Sequence, residues 1–114
     1  GTCGTATGVG IAFGIMLKST PLAPKPRQQV QQAVARVIDA LNNYEAARCC
    51  QREAYTALTV AAELSATFLS VKLKADGDVQ CRQQAKNKEC IQRDCPYFKR
   101  LQAVQSKEAS GKKR

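Results

Sequence analysis

Six cysteines carry whatever chemistry this chain performs: Cys3, Cys49, Cys50, Cys81, Cys90 and Cys95. A thiolate is a nucleophile, a redox group and a soft metal ligand, so all three roles are open. No histidine is present. That removes the usual acid–base side chain and the usual neutral metal ligand. A Ser-His-Asp or Cys-His mechanism is excluded within the chain, and so is a Cys/His zinc finger.

Three readings of the thiols compete. In the first, four or more thiolates gather on zinc or an iron–sulfur cluster, whose charge they neutralise. The neighbourhood favours thiolates: Arg48 and Arg52 flank the Cys49–Cys50 pair, while Lys86, Lys88 and Arg93 surround Cys90 and Cys95. All six cysteines are then candidate metal ligands, with Arg48, Arg52 and Lys88 holding or tuning the centre. Against this stands the spacing, which contains no Cys-x-x-Cys. In the second reading the thiols are redox-active or pair as disulfides. A bridge within Cys81, Cys90 and Cys95 would staple a stretch poor in apolar residues. In the third they are buried small hydrophobes. That suits Cys3 and Cys50, but not the trio set among Gln, Lys, Asn and Arg. Glu45, Glu53 and Glu63 have no partner motif and read as solvated helical positions rather than general bases.

These residues must be positioned by helices. Gly1 to Leu17 carries no charge. Gly4, Gly8, Ile11 and Ile15 share one helical face of it, and Val9, Phe13, Met16 and Leu17 cover the other side. A helix apolar all round is buried or membrane-embedded. Its length is at the bottom of the spanning range, and the amphipathic helices that follow need an apolar partner, so a central buried helix is favoured. Three prolines in "STPLAPKPR" end it. From about Pro26 to Leu41, Val30, Ala33, Val34, Val37, Ile38 and Leu41 form one stripe. "NNYE" breaks the pattern.

A third helix is predicted from about Ala46 to Leu73, with Ala54, Ala57, Leu58, Ala61, Leu64, Ser65 and Phe68 on its buried face. That phase puts Cys50 in the stripe and Cys49 off it. Val71–Leu73 and Val79–Cys81 form either a short hairpin about Asp76-Gly77 or a plain loop. Pro96 opens a last short helix or turn anchored by Tyr97, Phe98 and Leu101. The fold class is therefore all-α: a small bundle with a Gly-rich central helix, two amphipathic helices and a Cys-rich C-terminal loop. Helices one and three run parallel, which brings Cys3 and the Cys49–Cys50 pair to one end.

With 114 residues the chain is read as one helical domain over 1–106, followed by a disordered basic tail over 107–114. The net charge is +9, and six Lys or Arg stand against one Glu from Lys99 onward. That balance leaves an anionic partner open, nucleic acid included, although no recognition motif accompanies it. A homodimer is also open, and no membrane partner is favoured. The first residue is Gly, which suggests a trimmed start, and no secretory signal is visible. A cytoplasmic location is the working expectation.

Three blocks together resemble a known family: "GTCGTATGVGIAFGI…STPL", "EAARCCQREAYTAL" and "NKECIQRDCPYF". They are similar to an uncharacterised family of cysteine-rich helical domains, classed as of unknown function. It is found in bacteria and methanogenic archaea, sometimes fused to methyltransferase-like domains. The residues matching its pattern are Cys3, Gly4, Thr20, Pro21, Leu22, Arg48, Cys49, Cys50, Arg52, Asn87, Cys90, Cys95 and Pro96, with Cys81 between the last two blocks. The resemblance implies a compact helical domain with clustered cysteines and no known reaction. It also implies more chain before the Cys-Gly opening, with any ligand that stretch supplies. The leading expectation is a small cysteine-cluster module for a metal or iron–sulfur centre or thiol redox. The alternatives are a structural or interaction domain with no chemistry, and a basic nucleic-acid-binding protein.

Overall fold

The uncharged opening stretch forms α1, Gly4–Met16. Its termination needs no glycine. Lys18 takes a left-handed φ of 52°, which lets the Lys18 N–H reach the Ile15 carbonyl at 3.2 Å and the Ser19 N–H reach that of Gly14 at 2.9 Å. These two bonds satisfy carbonyls that the helix end would otherwise leave open. The computed structural model describes residues 3–75 and 79–98.

Helix α2 spans Pro24–Leu41, starting two residues before the periodicity alone suggests. Pro24 and Pro26 both fall in the first turn, where a missing N–H costs nothing, so Pro24, expected to precede the helix, opens it. Helix α3 spans Cys50–Phe68 and is shorter at both ends than the predicted Ala46–Leu73. Beyond it Ser70 takes a φ of 58° and the chain turns back, so that the Leu73 N–H donates to the Ser65 hydroxyl at 3.1 Å. No strand forms among the described residues, 71–73 and 79–81 included, and the Asp76-Gly77 turn lies outside the described residues. Among the described residues the one further regular element is a 3-10 turn, Gln92–Asp94, and the turn expected at Pro96 follows it at 96–98. The all-α class stands. Leu101 and the tail at 107–114 lie outside the described residues.

Two compact units form among the described residues: those within 1–43 and 53–77, and those within 44–52 and 78–114. The first unit holds the apolar core. Ala6, Val9 and Phe13 of α1 meet Ala33 and Val37 of α2 and Ala57, Val60, Ala61 and Leu64 of α3. Phe13 and Phe68 make an edge-to-face ring pair, centroids 6.5 Å apart at 83°. At the other end of the same helices the Cys3 thiol reaches Glu53. First turn against first turn and last against last means that α1 and α3 run parallel, as the topology required.

Two expectations about α1 and α3 need correction. Helix α1 is not buried all round. One face makes the core, while Ile11, Ile15 and Met16 are 59%, 73% and 60% exposed. On α3, Leu58 is exposed and Val60 takes its place in the core, so the stripe is rotated towards Val60. No helix among the described residues is long and apolar enough to cross a membrane.

Candidate functional site

Cys3 belongs to the first unit and the other five cysteines to the second. All six are free thiols. Cys3 precedes α1 with an extended backbone and no side-chain cap. Its Sγ lies 3.0 Å from the Thr5 hydroxyl and donates to Glu53 Oε2 at 3.2 Å. Glu53, expected to be a solvated position, is half-buried. The parallel course of helices one and three carried that signal: it sets their first turns side by side, and Glu53 is in the first turn of α3.

In the second unit the adjacent pair behaves opposite to the helical phase. Cys49 is half-buried and Cys50 exposed. The phase argument fails for Cys49 because α3 begins only at Cys50. Cys50, the first residue of α3, is exposed although the phase places it in the stripe.

The segment 81–98 is a chain of tight turns. The Gln83 carbonyl accepts from Lys86 and Asn87, the Asn87 carbonyl from Cys90, and the Asn87 side chain caps Glu89 N–H. Pro96 sits inside a turn closed by Phe98 N–H on the Cys95 carbonyl at 3.2 Å, and Cys81 N–H reaches the Tyr97 carbonyl at 3.4 Å. Within these turns one motif repeats. The backbone N–H two residues on donates to the cysteine sulfur: Gln83 to Cys81 at 3.4 Å, Gln92 to Cys90 at 3.4 Å, and Tyr97 to Cys95. At Cys95 the bond pulls the thiol down, favouring its charged form.

Cys95 is the buried member, 8% exposed. Burial is the largest influence and pushes its thiol up; the Tyr97 N–H and the Arg52 guanidinium pull it down, and Cys49 and Cys81 push it up again. Those three side chains therefore lie within electrostatic reach of Cys95. Arg52 is itself buried at 6% exposed. It donates to the Ala47 carbonyl at 3.2 Å and lies over the Tyr44 ring, 5.7 Å from its centroid. Both partners are neutral, and a buried charge that lacks a counter-charge, as Arg52 does among the described residues, is costly. Arg48 and Lys88 are exposed. The Gln84 Oε1 atom, three residues beyond Cys81, is buried without a hydrogen-bond partner among the described residues. Among the described residues no three Cys, Asp or Glu side chains are already gathered in a group that could hold an ion.

The chain matches a family described only as of unknown function (DUF5714), over residues 1–98. No curated protein and no solved structure matches it.

Proposed function

The chain belongs to this family, whose description names no reaction, and from that premise we propose that its second unit is a thiol-donor module for a soft metal centre, zinc or iron–sulfur. One observation carries the reading: a backbone amide is directed at the sulfur two residues earlier at Cys81, Cys90 and Cys95 alike. A neutral thiol gains little from such a donor, whereas a metal-bound thiolate is stabilised by it. Cys49 is the fourth donor, because it lies within electrostatic reach of Cys95. Cys50 is exposed beside it, and Cys3 is occupied with Glu53.

The residues fit the chemistry in charge as well. Arg52 supplies a buried positive group that an anionic thiolate centre would offset. Arg48 and Lys88 act at longer range from the surface. Ligation requires the sulfurs to draw in to about 2.3 Å from the ion and Cys95 to give up its proton. A zinc ion there supplies a structural cross-link, and an iron–sulfur cluster adds one-electron chemistry.

Metal analysis and an ultraviolet–visible spectrum of anaerobically purified chain test this. Bound zinc, or a sulfur-to-iron charge-transfer band, is expected. Cobalt added to metal-free protein should give a sulfur charge-transfer band, lost in Cys81→Ser and Cys95→Ser and kept in Cys50→Ser. Metal-free protein, with no cobalt band in any form, would instead select a second reading. That reading is a structural domain whose thiols are packing groups, favoured by the burial of Cys95 and its raised proton affinity.

A further inference from the structure

The face of α1 turned away from the core has two unusual features. Gly4, Gly8, Ile11 and Ile15 fall on one stripe, opposite the buried Ala6, Val9 and Phe13. Ile11 and Ile15 are 59% and 73% exposed. A Cβ added at Gly4 or Gly8 would meet nothing within 4 Å, whereas one added at Gly10 would meet the Val34 side chain at 2.6 Å. The close approach of α2 explains Gly10 and leaves Gly4 and Gly8 without an internal reason. Glycine weakens a helix, and an exposed isoleucine forgoes burial, so both features cost the isolated chain stability.

We propose that this stripe is the interface of a homodimer, with α1 packed antiparallel on α1 of a second copy across a two-fold axis. The stripe specifies its own occupant. Its first half lacks side chains and its second half has large ones. In the antiparallel pairing Ile15 enters the space over the partner's Gly4 while Ile11 enters that over the partner's Gly8. Both pairings are centred on the same point, between Val9 and Gly10, so one register satisfies all four contacts. A parallel pairing would set Gly on Gly and Ile on Ile. A patch complementary to itself in this way is what a two-fold interface requires.

Charge points to the same occupant. The chain carries +9, yet Gly1 to Leu17 carries no charge, so two cationic copies can approach along it. A lipid surface is a poorer fit, since α1 has no Lys or Arg to engage headgroups. The 13-residue helix makes a seam only about 20 Å long, which is small for a dimer and sets an expected dissociation constant in the micromolar range.

Sedimentation velocity of the full chain over about 1–300 µM tests the proposal across that range. Reductant is included so that disulfide-linked species do not count. A monomer-to-dimer shift is expected, weakened at least tenfold by Ile11→Glu and unaffected by Leu58→Glu on α3, which is exposed to a similar degree. Gly8→Leu separates interface from folding: it should raise the melting temperature of the monomer and abolish the dimer. It also decides the matter if Ile11→Glu loses its helical signal. A photo-crosslinker at position 15 should mark residues 4–8 of an isotope-labelled partner. A monomer at every concentration, a dimer indifferent to Gly8→Leu, crosslinks to the partner's C-terminal half of α1, or monomers that bind anionic phosphatidylserine vesicles through Ile11 would each overturn it.

Discussion

The first unit is ordered by apolar packing and the second is not. In the first, nine buried side chains from three helices interlock, and the Phe13–Phe68 ring pair closes one end. In the second, the only buried side chains among the described residues are Arg52 and Cys95. Its turns are held by backbone hydrogen bonds and amide–sulfur bonds. So small a unit without an apolar core ordinarily needs a metal or a cross-link to hold its shape. Sulfur is the one such material this sequence supplies there. The contrast is what supports the proposed thiol role: one unit is held by an apolar core, and the other, among its described residues, by turns and amide–sulfur bonds.

The sharpest way to break this contrast is to attack the first unit. Phe13→Ala removes a nearly fully buried ring and the partner of Phe68, and should cost about 3–5 kcal/mol in urea unfolding followed by circular dichroism. Hydrogen exchange should accelerate at residues 57–64. A loss well under 1 kcal/mol would mean that the core is not what orders this unit. A smaller effect is expected in the second. Arg52→Met removes the donor to the exposed Ala47 carbonyl and withdraws positive charge from Cys95, but also removes an uncompensated buried charge, so the net change should stay within about 1 kcal/mol. Alkylation of Cys95 should slow as its thiolate loses support, while Arg52→Lys should restore part of the rate. Equal alkylation rates in all three forms would remove Arg52 from the thiol site.

The sequence made the first unit legible to the extent that periodicity governs it. The α2 stripe of Val30, Ala33, Val34, Val37, Ile38 and Leu41 all lies in or against the core. The parallel course of α1 and α3 followed from connectivity alone. What misled was uniformity: α1 is apolar on every side, so periodicity could not tell its core face from its exposed one. Only the clustering of Gly4 and Gly8 with Ile11 and Ile15 marked the difference. At Cys49 the phase runs past the true helix start, and Cys50, the first residue of α3, is exposed rather than in the stripe. In the second unit periodicity has nothing to read. Asn87 and Pro96 announce turns, but the amide–sulfur bonds depend on backbone conformations that no side-chain pattern encodes. Arg52 stands out in the sequence by its charge and not by its burial, and its contacts with Tyr44 and Ala47 fall on a non-periodic stretch.

The smallest effect is also the most discriminating. Burial raises the Cys95 thiol above its ordinary value, with Tyr97 and Arg52 opposing. Below the usual thiol value of about 8.5, Cys95 holds its proton in both the folded and unfolded chains, and its full contribution is present. Above that value the unfolded chain releases the proton first. Stability from this group therefore falls as pH rises, until the folded thiol ionises as well. Urea unfolding of metal-free protein across this window should show the decline, and Cys95→Ser should remove it. The same proton must leave for a metal to bind, so metal affinity should rise with pH over the range in which metal-free stability falls. A structural unit with inert thiols would show the first slope alone. A thiol-donor module shows both, with opposite signs, and Cys95→Ser should flatten the two together.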